Sequence, residues 1–131
     1  MKLTRQRALR LLCGAASVAG VILLHSASAQ TQFEMSQSAA QHLVTANREL
    51  NVLVASIRKQ LGPTELKLFQ QSQASWYAFR TQDAMFRASR YQGGSLYPTE
   101  FAAVQASITN ERIAELREIV KNLKAGTGHA Q

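Results

Sequence analysis

Arg80, Asp83 and Arg87 stand at three- and four-residue steps in the stretch WYAFRTQDAMFR. On a helix that spacing puts all three on one face, where a single carboxylate can bridge two guanidiniums. The chemistry such a trio offers is binding or bracing, because a planar guanidinium fork takes a carboxylate bidentately. As an exposed network it stabilises little, under about 1 kcal/mol per pair. Set against the following YQGGSLYP it would instead hold a loop in place, and direct contact with a ligand is the other role open to it. Tyr77 lies one residue off the apolar stripe that carries Trp76 and is the aromatic better placed to meet a partner. Gly93-Gly94-Ser95 can offer backbone N–H groups to an anion. It can equally be a turn that reverses the chain before Pro98, and the turn is favoured because no Lys-Ser/Thr pair follows the glycines.

Catalytic groups do not cluster. Glu111, Glu115 and Glu118 alternate with Arg112, Arg117 and Lys121, which is the pattern of a solvated helix face. His42 and His129 are isolated, and neither HxxxH nor ExxH spacing occurs, so no metal site is expected. The chain's single cysteine, Cys13, lies in the leader described below. Thiol catalysis is thereby excluded from the remainder, and the reading is a protein that is not an enzyme and takes no cofactor.

The N-terminus reads as an address. Lys2, Arg5, Arg7 and Arg10 precede an apolar run of 14 residues, Leu11–Leu24, and then HSASAQ. A basic start, a short apolar core and small residues at Ala27 and Ala29 describe a secretory signal peptide with cleavage before Gln30. The run is shorter than the roughly 20 residues of a membrane-spanning helix. Cys13 follows two leucines at the start of the run, which disfavours lipidation, and Gln6 separates Arg5 from Arg7, which disfavours a twin-arginine route. The whole chain has a formal charge of +7, but residues 30–131 hold 11 Lys+Arg and 8 Asp+Glu, a balance of +3. Those cations are scattered among acids and form no dense basic stripe, so nucleic acid is not an expected partner.

The elements that must position these residues are helical. With 46% hydrophobic and 18% charged residues in 131, the composition suits one globular domain. Leu43, Ala46, Leu50, Leu53, Val54, Ile57 and Leu61 recur at helical steps and predict a helix over about Glu34–Gln60. Gly62-Pro63 interrupts it, and a second helix should run from Pro63 to about Arg90 with Leu66, Phe69, Trp76, Phe79 and Phe86 on its apolar face and Gln73 on the same stripe. Beyond the loop, Phe101, Val104 and Ile108 predict a short helix, with a break at Thr109. Ile113, Leu116, Val120 and Leu123 then form the last helix, ending near Lys124. The fold class is all-α, an antiparallel array of three main helices and a short extra one, with residues 1–29 as signal, 30–125 as domain and 126–131 as disordered tail.

In combination several motifs resemble the LprI-like lysozyme-inhibitor family of small exported bacterial proteins. They are EMSQS at Glu34–Ser38, RELN at Arg48–Asn51, Gln73-x-x-Trp76-x-x-x-Arg80, GGS at Gly93–Ser95 and Thr109-x-x-Arg112-x-x-x-Leu116, and they run in the family's order. The resemblance implies an all-helical exported domain, some of whose relatives act against lysozyme. It also implies departures: the family's paired cysteines fall near Ser38, Ala84 and Val104, its usual Tyr is Val54 and its usual Asp is Thr81. About 100 residues can bury a sufficient helical core without those staples.

Two functions from different classes follow. One is a periplasmic binding protein that occludes a lysozyme-like peptidoglycan hydrolase, using Tyr77, Arg80, Asp83, Arg87 and the loop at Gly93, Gly94 and Ser95. The other is an envelope module without inhibitory activity that binds an anionic polymer or an outer-membrane partner, which the modest positive balance favours. The address generates the first test. Mass spectrometry of the protein recovered from the envelope of an expressing cell is expected to find Gln30 as the first residue; recovery of a chain that still begins at Met1 would contradict the cleavage site.

Overall fold

The computed structural model describes residues 15–127, with side-chain surroundings given for 30–126. Residues 1–14 of the expected signal and residues 128–131 of the expected tail lie outside the described residues. Three long helices carry the chain: α1 (Ala15–Arg58), α2 (Pro63–Ala88) and α3 (Tyr97–Thr127), with a 3-10 turn at Ser89–Tyr91 between the last two. Every regular element among the described residues is helical. None of these helices is long and apolar enough to cross a membrane. By internal contacts the chain divides into Met1–Met35 and Ser36–Gln131. Over its described residues the first unit is the leading part of α1.

The core belongs to the second unit. Ala46, Leu50 and Ile57 of α1 bury against Ile113 and Leu116 of α3, and Phe69 and Trp76 of α2 pack on that cluster together with Leu53, Val54, Leu61, Val120 and Leu123. The helical spacing read from α1 and from the end of α3 thus marks the buried face. Gly62 stands at the head of α2 in extended backbone (φ −68°, ψ 169°) and has no side chain to cap with; Glu65 reaches back instead, its Oε2 accepting the Gly62 N–H at 3.1 Å.

Four expectations are corrected. The first helix is already formed at Ala15, well ahead of Glu34, because nothing from Ala15 onward breaks it: the stretch is rich in Ala, Leu and Gln and has no proline. The expected break at Thr109 is absent and α3 runs through it. The Thr109 hydroxyl donates to the Gln105 carbonyl at 2.7 Å, one turn back, so it bonds within the helix and does not cap a new one. The short extra element is accordingly the 3-10 turn at Ser89–Tyr91, not a helix over 98–108, and α3 continues past Lys124 to Thr127.

The fourth correction concerns the face of α2. Phe79 is 54% exposed and Phe86 76%. At about 100° per residue they lie roughly 120° and 140° around the helix from Gln73. The buried stripe is made by Gln73, Ala84 and Ala88, with Trp76 and Arg80 half-buried along it. The large aromatics outweighed the small and polar residues that in fact face inward.

Burial sets the expected stability effects. Leu116 is fully buried in the core, so Leu116→Ala should cost about 2–5 kcal/mol in urea unfolding. Phe86→Ala, at an exposed site, should stay within about 0.5 kcal/mol of the parent. Equal losses at the two positions would contradict the described packing.

Candidate functional site

Polar ties join the helices beside their apolar core. Arg80 of α2 donates from Nη1 to Asn47 Oδ1 of α1 at 2.7 Å and to Thr109 Oγ1 of α3 at 3.0 Å, so one guanidinium joins all three helices. Thr109 can accept because its own hydrogen goes to the Gln105 carbonyl. The Arg80 guanidinium lies 5.1 Å from the ring centres of both Trp76 and Tyr77, which pack edge to face with centroids 5.1 Å apart. Burial pushes the Arg80 pKa below its ordinary value, with neighbouring Tyr77 acting in the opposite direction. A second tie lies further along: Arg112 of α3 donates to Gln73 Oε1 of α2 from Nε at 3.0 Å and from Nη2 at 2.6 Å. The same guanidinium pairs with Glu115 at 2.7 Å and its side chain is only 14% exposed. Arg117 of α3 pairs with Glu49 of α1.

These contacts divide the residues proposed from sequence into groups. Arg80 is turned inward to Asn47 and Thr109, while Asp83 holds an ion pair with Arg87 at 2.8 Å, so the bridge between two arginines that the spacing allows is not made. Asp83 stays half-buried, and Arg87 extends from it with more than half of its side chain exposed. Tyr77 and Asp83 are each three residues from Arg80 and so lie about 60° to either side of it, on opposite flanks of α2.

Gly93 and Gly94 form the turn. Gly93 has φ of +81°, a backbone that L side chains rarely adopt, and the Gly94 N–H bonds to the Tyr91 carbonyl at 2.9 Å. The Gly94 carbonyl in turn accepts the Tyr97 N–H at 3.2 Å, which leads into α3. Arg90 fastens the turn to the start of α3 through Glu100 at 3.3 Å, and its guanidinium lies 4.9 Å from the Tyr91 ring. Tyr97 and Phe101 stack with centroids 6.0 Å apart in the first turn of α3. Gly93, Gly94 and Ser95 are all exposed, so the result is a braced loop with an outward tip.

Asn47 and Thr109 as partners of Arg80, and Arg112 as partner of Gln73, were not singled out by reasoning on chemistry from sequence. A signal existed: Gln73 and Thr109 sit on apolar stripes, where a polar residue implies a buried hydrogen bond. Outside these ties, Leu68, Phe79 and Phe86 share an exposed face of α2, three and two helical turns apart. No group of three His, Cys, Asp or Glu side chains among the described residues could hold a metal ion. The arrangement carries cations, aromatics and a shaped loop, which suit recognition of another molecule.

A family model described as Lysozyme inhibitor LprI matches residues 25–116. No curated protein and no solved structure matches the chain. The matched span contains Asn47, Gln73, Trp76, Arg80, the glycine turn, Thr109 and Arg112, so it includes both arginine ties.

The tie between Gln73 and Arg112 is testable by a double-mutant cycle using Gln73→Leu and Arg112→Leu. With both groups mostly buried, a coupling of about 1 kcal/mol or more is expected in denaturant unfolding. The exposed pair Glu118 and Lys121, 3.4 Å apart, should couple by less than about 0.5 kcal/mol. A zero coupling between Gln73 and Arg112 would contradict the tie.

Proposed function

This chain belongs to the LprI lysozyme-inhibitor family, and from that premise we propose that it is an exported protein without catalytic activity that binds a lysozyme-type peptidoglycan hydrolase and blocks its cleft. The signal-like N-terminus supports export, with the periplasm or the exterior as the place of action. The steps from Gln73 to Arg80 along α2 and from Arg112 to Thr109 back along α3 support an antiparallel pairing of the two helices. The observation that carries the reading is the family match, which spans the whole tied scaffold and its glycine turn.

The mechanism we propose is occlusion. Phe86 is largely exposed and precedes Arg87 directly, at the end of α2 that feeds the braced loop. Exposed aromatics beside an arginine are the residue types that dominate protein interfaces. Asp83 holds Arg87 with its fork projecting outward, suited to the carboxylates on which glycosidases depend. Gly93–Ser95 supplies a convex tip for a concave site, and Arg80 acts from behind by holding α2 in place. The balance of +3 over residues 30–131 gives no long-range attraction to a basic lysozyme, so affinity rests on shape and aromatic contact.

The envelope-module reading rests on the same positive balance and predicts a different salt response. Hydrolysis of peptidoglycan by animal-type, goose-type and bacterial enzymes is to be measured with the purified protein at low and physiological salt. Saturable inhibition of one class is expected, surviving the salt change, and Phe86→Ala combined with Arg87→Ala should weaken it about tenfold or more while leaving the helical circular dichroism intact. Absence of inhibition at micromolar protein would refute the inhibitor reading for those classes. Binding to anionic polymer that fades steeply with salt would then favour the envelope module.

A further inference from the structure

The outward face of α2 is uncharged along a line where a solvent-facing helix ordinarily carries charge. Leu68, Ser72, Ser75, Phe79, Gln82 and Phe86 follow one another at alternating steps of four and three, and all are exposed. At about 100° per residue they stay within about 40° of a single line that runs about 27 Å along the helix. The charged residues of α2, Glu65, Lys67, Arg80, Asp83 and Arg87, each lie about 60° or more away from that line. Alternating steps of four and three are the rhythm of a helix-pairing seam. Yet α2 is tied to α1 and α3 through Gln73 and Arg80, about 120–140° around the helix from Leu68.

The order of side chains along this seam is self-complementary. Two copies of α2 laid antiparallel, with a two-fold axis level with Tyr77, set Phe86 of each against Leu68 of the other and Phe79 against Ser75. No Phe meets a Phe, and Gln82 falls opposite Ser72, whose hydroxyl can donate to the amide oxygen. A shift of one heptad carries Phe86 beyond the start of the facing helix in one direction and Leu68 beyond its end in the other. Charge agrees with the same register. Glu65 and Arg87 lie on one edge of the seam, and the axis brings Glu65 of each copy within about 3 Å in height of Arg87 of the other. Glu65 holds the Gly62 N–H with Oε2 and Arg87 holds Asp83 with Nη2, which leaves Oε1 and Nη1 for the cross-pair.

We propose that the exposed seam of α2 binds a second copy of this chain in this antiparallel register. One helix pair of that length covers less than a standard interface, so the dimer forms at about 100 µM and dissociates at about 1 µM. The proposal does not rest on the inhibitor reading, and no hydrolase enters its test, so the two can fail independently. Where both hold, the second copy covers Phe86 and Arg87, so the monomer is the inhibitory form and the dimer its stored form.

Sedimentation equilibrium of the purified protein is expected to show a reversible monomer–dimer equilibrium over about 1–100 µM. Phe79→Glu sets a charge against Ser75 in both halves and should weaken association about tenfold or more, with the helical circular dichroism intact. Glu65→Arg and Arg87→Glu should each weaken it about fivefold, and mixing those two variants should restore it, because the mixed pair has opposite charges at both ends. Direction is read by cysteines placed on the other edge of the seam, since residues 30–131 have none of their own. The axis sets the two Ala78 positions within about 3 Å in height and the two Lys67 positions about 30 Å apart. A short bis-maleimide should therefore join copies of Ala78→Cys and not copies of Lys67→Cys. A monomer at about 100 µM would overturn the proposal and leave the seam to the hydrolase. Undiminished association of Phe79→Glu, no recovery on mixing, or equal cross-linking at the two positions would each overturn it as well.

Discussion

A guanidinium brought between helices must find acceptors there, because an unpaired charge out of water is far more costly than an unpaired neutral group. Arg80 answers that constraint through Nη1, with one oxygen from α1 and one from α3, while its Nε is buried without a partner. Asn47 must face inward on α1, Thr109 must keep its hydroxyl within reach on α3, and Ala84 and Ala88 keep the α2 side small further along. Gln73 and Arg112 repeat the device on the other side of Trp76. Directional bonds fix register in a way that apolar contacts alone do not, and fixed register suits a domain whose residues 30–131 contain no cysteine.

The same constraint explains what was legible in the sequence. Leu50, Ile57, Ile113 and Leu116 follow the three- and four-residue rhythm of a buried face, and they form the core. Pro63 and the two glycines before Tyr97 punctuate the chain at the ends of the helices. Thr109 misled because its side chain is a helix cap in one setting and a buried acceptor in another, and only its neighbour Arg80 decides between them. Phe79 and Phe86 misled because hydrophobicity was weighed by size, whereas the inward stripe holds Gln73, Ala84 and Ala88. Arg80 and Asp83 have the spacing of an ion pair, but contacts with α1 and α3 outbid the local one. Intrahelical spacing specifies which side chains can meet; tertiary partners specify which do.

Consequences for function follow from the division of labour on α2. Its inward stripe is committed to holding the bundle, so the motif residues Gln73, Trp76 and Arg80 are scaffold. Thr81, where the family's usual residue is Asp, bonds its hydroxyl to the Tyr77 carbonyl at 3.0 Å and adds no charge to that scaffold. The outward flank of α2 carries the exposed Phe79, Phe86 and Arg87, and on the function proposed above it is this flank and the loop that meet the partner.

The central claim is that Arg80 acts as a strut and not as a contact. Its most direct test is to measure, on one Arg80→Met preparation, the unfolding free energy and the affinity for whichever hydrolase the parent inhibits. The account predicts a loss of about 1–3 kcal/mol in stability, from Asn47 and Thr109 left without their donor, with affinity unchanged under conditions where the variant remains folded. A variant as stable as the parent that has lost its affinity would contradict it.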